Sequence, residues 1–262
     1  MDTRNPIFSR SEQLAGGSRA ATVGVDAAAI EQLEQAYAGP AAGPLQTDRI
    51  TYNDVIVKTG LTFAVVLVGA GIGWFNPGLT IVGLIGGLVL GLVNAFKKEP
   101  SPPLILAYAA LMGIGLGGIS MMYQAQWDGI VQQAVLGTFS VFAVALIAYR
   151  TGRIRVTPKF QRMVIIGMFG YLAFSLLNLV LSLFGVGDGW GLRNGWLGIA
   201  VGLVAVALAA FSLVLDFDFI DKSVQAGVRS RYAWTAAFGL VVTLVWLYLE
   251  LLRLLAILQG ND

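Results

Sequence analysis

The sequence predicts an all-α protein, a polytopic bundle of seven transmembrane helices, and three observations predict it. The chain is 56% hydrophobic and only 12% charged, whereas a soluble domain carries roughly 25% charged residues. Seven apolar runs are each close to the roughly 20 residues that cross a bilayer as a helix. No run alternates apolar and polar residues as the strands of a transmembrane barrel do.

Turn-forming or charged residues separate the seven runs. Asn76-Pro77-Gly78 divides the first two runs, because proline and glycine together mark a tight turn. Asp128 separates the third run from the fourth, a basic stretch precedes the fifth, and a glycine-rich loop precedes the sixth. We therefore predict spans at 55–75, 79–96, 103–123, 129–149, 163–187, 194–215 and 232–258.

The distribution of Lys and Arg among the loops predicts the orientation, since short cytoplasmic loops are rich in both. Arg193 is the only Lys or Arg in the odd-numbered loops. The even-numbered loops contain Lys97, Lys98, Arg150, Arg153, Arg155, Lys159, Arg162, Lys222, Arg229 and Arg231. We expect the N-terminus in the cytoplasm and the C-terminus outside.

Residues 1–50 differ from the rest of the chain. They mix Gly, Ala and Ser with charged residues and lack an apolar run long enough for a signal peptide. We expect a mostly disordered cytoplasmic tail with one short helix in AAAIEQLEQAYAG, followed by a transmembrane domain over 51–262. Thr51 and Asp54 have the spacing of a capping box that opens the first span.

The composition excludes several classes of function. The chain has no Cys and no His, which excludes disulfides, thiolate or imidazole metal sites and Ser-His-Asp triads. A net charge of +2 is too small for a nucleic-acid binder. GIGLGG in the third span lacks the lysine of a phosphate-binding loop. We predict neither an enzyme nor a permanent cofactor.

Glycines recur at four-residue spacing in the first three spans. Small residues at this spacing let helix backbones approach closely in lipid. The pattern favours helix packing, and a glycine-lined pore wall is the alternative. The pairs are Gly69 and Gly73, Gly87 and Gly91, and Gly113 and Gly117.

Asp216 is the first candidate functional residue. It closes the predicted sixth span, which places its carboxylate near the cytoplasmic surface. Asp218 precedes Lys222 by four residues, a favourable spacing for a solvated ion pair, and we expect Asp218 and Asp221 to face mainly water. Asp216 points nearly opposite to Asp218, so it either faces the bundle interior or is an ordinary interfacial carboxylate.

Glu250 is the second candidate, in the outer part of the last span. Arg253 is close enough along the helix to pair with it, so Glu250 either satisfies that charge or relays a cation or proton. Asn178, in the middle of the fifth span, is expected to hydrogen-bond between helices. Asp216 and Glu250 should lie about 20 Å apart along the membrane normal, too far to share a proton.

Several segments, taken in order, resemble the bacterial Bax inhibitor family of the YccA and YetJ type. They are LAYAALMGIGLGG in the third span, LGTFSVFAVALIAYRTGRI in the fourth, SLLNLVLSLFG in the fifth, LVLDFDFID closing the sixth and WLYLELLRLLAIL in the last. The resemblance covers about residues 50–260, and it rests on the order and spacing of the segments.

The resemblance implies a pH-sensitive calcium leak in a bacterial plasma membrane. Its sensor would be two aspartates on the last two spans, with a basic residue after the second span as a latch. Asp216 corresponds to the first aspartate, and Lys97 or Lys98 to the latch. Aligning the final Leu-Leu-Arg puts Thr243 at the second position without a gap, whereas aligning LYLE puts Glu250 there. Ca²⁺ would bind only transiently, through oxygen ligands.

A passive cation pathway is therefore the leading hypothesis. The alternative is a regulator of a membrane protease or other membrane complex, docking through the tail without ion flux of its own. An intramembrane protease is disfavoured because it needs two aspartates at one depth. A secondary transporter is disfavoured because no repeat of broken helices is present. Beyond the lipid bilayer and such a protease no partner is predicted, and the oligomeric state is open.

Overall fold

Seven long helices make up the protein in the computed structural model, which describes residues 48–185, 192–193 and 195–260. All seven are long and apolar enough to cross a membrane, which confirms the predicted fold class. Short 3₁₀ turns lie at Pro77–Leu79 and Ser230–Tyr232. The helices are α1 (Tyr52–Phe75), α2 (Thr80–Phe96), α3 (Pro102–Gln126), α4 (Ile130–Arg150), α5 (Pro158–Leu183), α6 (Gly195–Gln225) and α7 (Ala233–Gln259).

The helix ends differ most from the predicted spans at α5 and α6. Helix α5 begins at Pro158 rather than 163, because Thr157 caps it by accepting a hydrogen bond from the Phe160 N–H. Helix α6 continues past residue 215 to Gln225. The hydropathy of a run marks only the part that crosses lipid, whereas a helix continues into water while its charged residues pair along it.

The chain enters α1 through a fixed segment rather than a loose tail. The predicted capping box is present, since Thr51 Oγ1 accepts from the Asp54 N–H and the Thr51 N–H donates to Asp54 Oδ2 at 3.0 Å. Just before it, Ile50 N donates to Val228 O at 2.8 Å. Residues 48–50 of the predicted tail thus belong to the ordered entry into α1, and the rest of the tail, with its predicted short helix, lies outside the described residues.

Helix α7 occupies the centre of the bundle. It packs against α1, α3, α4 and α6, while α2 packs on α3 and α5 packs on α6. Its fully buried side chains include Val241, Leu247 and Leu252. A helix surrounded on most sides by other helices is where polar side chains can be kept from lipid, so α7 is the natural carrier of a buried polar site.

Glycines bring α1 and α3 into backbone contact, as the four-residue spacing predicts. A Cβ placed on Gly117 would lie 1.9 Å from Ala70 O, and one on Gly73 would lie 2.0 Å from Ile114 O. The same holds for Gly69 and Gly113, whose added Cβ atoms would lie 2.5 and 2.3 Å from backbone oxygens. These glycines therefore serve helix packing rather than a pore wall.

The even-numbered loops gather at one end of the bundle, called here the basic end, together with the start of α1. Arg231, before α7, pairs at 2.6 Å with Glu99, which lies between α2 and α3. Tyr149, near the end of α4, donates a hydrogen bond to Asp221, near the end of α6. The loops with most of the Lys and Arg thus share one face, and its assignment to the cytoplasm stays a prediction.

Substituting Gly117 with alanine should destabilise the bundle. The added methyl group would meet the Ala70 carbonyl, and overpacking of this kind costs about 1–3 kcal/mol. Thermal unfolding in detergent should show a clearly lower midpoint for Gly117→Ala. Gly71→Ala on α1 is the matched control, because no atom lies within 4 Å of its added Cβ. Equal midpoints for both variants would contradict the packing role.

Candidate functional site

Asp216 meets Thr243 where α6 and α7 pack together. Thr243 Oγ1 lies 2.7 Å from Asp216 Oδ2, to which it donates, and 3.1 Å from Gly239 O in its own helix. A Cβ on Gly239 would lie 3.4 Å from Asp216 Oδ1, so the glycine leaves room for the carboxylate. Among the described residues, no basic side chain lies within ion-pair distance of Asp216.

Asp216 lies deeper in the bundle than the sequence indicated. The sixth span was predicted to end there, but α6 continues for nine further residues to Gln225, or about 14 Å along the axis. Asp216 therefore does not close its helix, while its depth relative to the membrane surface stays a prediction. The cause is that Asp218 and Asp221 find partners within the protein, which lets the helix continue beyond them.

Glu250 belongs to a second polar cluster on α7, towards the opposite end of the bundle. Arg253 Nη2 lies 2.9 Å from Glu250 Oε2, and both residues are 7% exposed. Tyr171 of α5 donates a hydrogen bond to Glu250 Oε1. Glu250 is thus held by its own helix and by a second one.

Arg193 joins this cluster from the segment that precedes α6. Its guanidinium lies over the rings of Tyr171 and Phe174, at 5.0 and 5.3 Å from their centroids. Its Nη2 donates to Ser175 Oγ at 2.5 Å, and its Nη1 lies 3.9 Å from Glu250 Oε1. Two arginines therefore share one carboxylate, and the two rings beside Arg193 help to offset the extra positive charge.

The two clusters are closer than expected, although they remain separate. Asp216 is level with Thr243, and Glu250 follows Thr243 by seven residues, or about 10 Å along α7. The expected separation of about 20 Å assumed that Asp216 lay at the end of its helix. Glu250 bonds to other partners, so Thr243 is the α7 side chain that Asp216 contacts.

A third cluster lies at the basic end, around Asp221. This carboxylate accepts hydrogen bonds from the hydroxyls of Tyr52 and Tyr149 and from Gln225 Nε2 at 3.0 Å. The expectation that Asp221 faces mainly water is therefore wrong, because helices α1 and α4 bring two tyrosines to it. Asp218 forms the ion pair with Lys222, at 2.6 Å, that its four-residue spacing indicates.

The remaining candidates lie away from Asp216. Lys97 and Lys98 follow α2 as exposed side chains, and neither forms an ion pair within the described ranges. Asn178 lies five residues before the end of α5 at Leu183, not in its middle, and its Oδ1 accepts from the Leu192 N–H at 2.7 Å. Sequence reasoning placed all three by span position alone, which does not show what a side chain meets.

Sequence reasoning missed the partners supplied by other helices. Arg193 was visible only as the one basic residue of the odd-numbered loops, and nothing connected it to Glu250. No functional motif in the sequence marks Tyr171, Tyr52 or Tyr149. A tyrosine inside an apolar helix is ordinary, because its ring is apolar, and only the fold reveals which carboxylate its hydroxyl reaches.

The clusters contain charged side chains, but the described residues do not form a fixed metal site. No group of three or more carboxylates comes together in the described part of the chain. Asp216 offers one carboxylate beside a hydroxyl, which suits passing contact with a hard cation rather than a closed cage of 6–8 oxygen ligands.

Replacing Glu250 with glutamine should destabilise the protein strongly. It leaves Arg193 and Arg253 buried without a counter-charge, and removing one partner of a buried pair costs about 3–5 kcal/mol. Glu99→Gln is the matched control, because its pair with Arg231 is solvent-exposed and contributes at most about 1 kcal/mol. Thermal unfolding in detergent compares the two. A Glu250→Gln midpoint no lower than that of the control would show that the cluster is not a buried ion pair.

Comparisons with known proteins agree with this architecture. The chain is 25% identical over 172 residues to an uncharacterized protein of Borreliella burgdorferi (strain B31), an alignment that covers 64% of this chain and 68% of the relative. Residues 5–260 match the family described as Bax inhibitor 1 like, which is nearly the whole chain. The protein is therefore a multi-pass membrane protein that belongs to the Bax inhibitor 1 like family.

Proposed function

We propose that the protein is a pH-sensitive leak for cations, chiefly Ca²⁺, in the bacterial plasma membrane, with the basic end inside. The observation that carries the proposal is the contact between Asp216 and Thr243. It places a carboxylate inside a membrane-spanning helix, against a neutral hydroxyl of the neighbouring helix. Ionisable groups at such positions are rare and are usually functional.

The charge balance around Asp216 supports a cation as the ligand. Glu250 and Asp218 each have a basic partner, whereas the Asp216 carboxylate has only a hydroxyl within hydrogen-bond reach in the described part of the chain. An ionised carboxylate without a counter-charge attracts a cation strongly in a low-dielectric setting. Carboxylate, hydroxyl and carbonyl oxygens are the ligands that Ca²⁺ prefers.

Protonation of Asp216 supplies a gating mechanism of definite sign. The hydrogen bond from Thr243 ties α7 to α6. A bond to an ionised carboxylate contributes about 1.5–3 kcal/mol, and a bond to a neutral group about 0.5–1.5 kcal/mol. Acidification therefore weakens the tie by about 1 kcal/mol, which favours separation of the two helices about fivefold. The leak should increase as the pH falls.

The latch implied by the family resemblance needs a different residue in this proposal. Lys97 and Lys98 are exposed and form no ion pair with Asp216. Arg231 instead ties the segment after α2 to the start of α7, through Glu99 and through Pro100 O at 3.2 Å. We assign to this contact the role of holding the basic end together in the closed state.

Substituting Asp216 with asparagine should abolish the pH dependence of the leak. In liposomes loaded with a Ca²⁺ dye, the wild type should leak about fivefold faster at mildly acidic than at mildly alkaline pH. Asp216→Asn, which cannot ionise, should leak at the same rate at both pH values. Thr138→Val is the matched control, since Thr138 is buried but donates only to Ala134 O in its own helix. Absence of flux in every variant rejects the leak, and a pH-dependent Asp216→Asn rejects Asp216 as the gate.

Substituting Thr243 with aspartate should recreate a carboxylate pair. Two carboxylates within hydrogen-bond reach cannot both ionise easily and hold one proton between them. The increase in flux on acidification should therefore occur at a higher pH in Thr243→Asp than in the wild type. Thr243→Asn has the same size without the charge and should not show this shift. An unchanged pH profile for Thr243→Asp would show that residues 216 and 243 do not form the gate.

The alternative is a regulator of a membrane protease or other membrane complex. It rests on the N-terminal region, which lies outside the described residues, and it needs no ion pathway. The flux experiment separates the two proposals, because a regulator without flux of its own leaves the dye signal unchanged at every pH.

A further inference from the structure

A cavity of about 970 Å³ lies at the basic end, apart from the contact between Asp216 and Thr243. Helices α1 and α4 form its two sides, α6 forms its floor, and the segment 152–156 closes it at the basic end. Farther along, α1 and α4 meet through the edge-to-face contact of Phe63 and Phe139, at 6.2 Å between ring centroids. The volume is at the upper end of the roughly 300–1,000 Å³ typical of small-molecule sites.

The inner walls of the cavity are apolar. Ile56 of α1 and Leu146 of α4 both line it, and Phe142, Phe217 and Leu240 line it farther from the basic end. Both α1 and α4 are membrane-spanning helices with many lipid-exposed apolar side chains. A cleft between two such helices offers an acyl chain the same surroundings as the bilayer.

The charged residues at the mouth of the cavity differ in whether they already have a partner. Asp221 accepts three hydrogen bonds, and Asp218 is paired with Lys222 at 2.6 Å. Arg150 and Arg155 also line the mouth, and neither forms an ion pair within the described residues. The neutral donors leave Asp221 its negative charge, but Asp218 is neutralised by Lys222 and the two arginines outnumber Asp221. The net charge at the mouth is therefore positive, so the ligand's polar end is an anion that can accept hydrogen bonds from guanidinium groups.

A buried hydroxyl within the cavity lacks a partner. Thr59 lines the cavity, and its Oγ1 is buried without a hydrogen bond to any described residue, whereas Thr62, one turn further along α1, donates to Lys58 O at 2.7 Å. A buried hydroxyl without a partner costs about 1–3 kcal/mol. Rotation of the Thr59 side chain towards the cavity would let this hydroxyl donate to an ester oxygen below a phosphate headgroup.

We propose that this cavity binds one anionic phospholipid from the leaflet at the basic end. The phosphate lies between Arg150 and Arg155, the ester region reaches Thr59, and an acyl chain fills the apolar part between α1 and α4. The proposal does not depend on ion conduction, because the cavity, the two arginines and the hydroxyl are separate from Asp216.

Native mass spectrometry of the full-length protein, purified in detergent, tests this site. The probe is palmitoyl-oleoyl phosphatidylglycerol, and the control is a phosphatidylcholine with the same acyl chains and no net charge. The wild type should retain one phosphatidylglycerol about tenfold more strongly than phosphatidylcholine, given the contribution of each basic residue to anionic-lipid binding. Arg150→Gln/Arg155→Gln should lose this preference. Arg153→Gln/Lys159→Gln removes the same charge from the same end of the bundle without touching the cavity lining, and should keep it.

Two further arms separate a lipid from its headgroup alone. Leu146→Trp fills the apolar part and should weaken phosphatidylglycerol binding without changing the arginines. Inorganic phosphate in excess should not displace the lipid. Equal retention of the two lipids, equal losses in the two double variants, unchanged binding by Leu146→Trp, or full displacement by phosphate would each overturn the proposal.

Discussion

Lipid supplies no hydrogen-bond partners, and the structure of this protein follows from that constraint. The backbone N–H and C=O groups of each helix form hydrogen bonds with one another. Several hydroxyls also bond within their own helix, since Thr62, Ser120 and Thr138 donate to carbonyls one turn earlier. A carboxylate or a guanidinium needs more hydrogen-bond partners than one turn of its own helix can supply. Asp216 and Glu250 therefore depend on other helices, and this requirement decides which helices meet and where.

The central position of α7 is the main consequence. It carries Thr243, Glu250 and Arg253, all buried, and it packs against four other helices. Helix α6 brings Asp216 to it, and α5 brings Tyr171. The polar contacts thus occur at successive levels along the bundle, with Asp221 near the basic end, Asp216 deeper and Glu250 farthest.

The bundle contains two kinds of helix contact. Helices α1 and α3 meet backbone to backbone through glycines, a contact that involves no ionisable group. Helices α6 and α7 meet instead through side chains that include an ionisable group. A contact whose strength depends on protonation can be broken without loss of the fold, whereas the glycine contact cannot. For this reason the proposed movement is assigned to α6 and α7.

The sequence by itself determined the seven spans, the capping box at Thr51, the glycine packing and the pairing of Glu250 with Arg253. These features depend on residues close together in the chain or on the solvent that each run prefers, and both can be read from order and spacing. Only the tertiary structure decided that Asp216 meets Thr243, that Arg193 and Tyr171 reach Glu250, and that Asp221 bonds two tyrosines. Those contacts join residues far apart in sequence, and they depend on the rotation and depth of whole helices. Hydropathy fixes neither, because a span can turn about its axis or extend past the lipid without changing its composition.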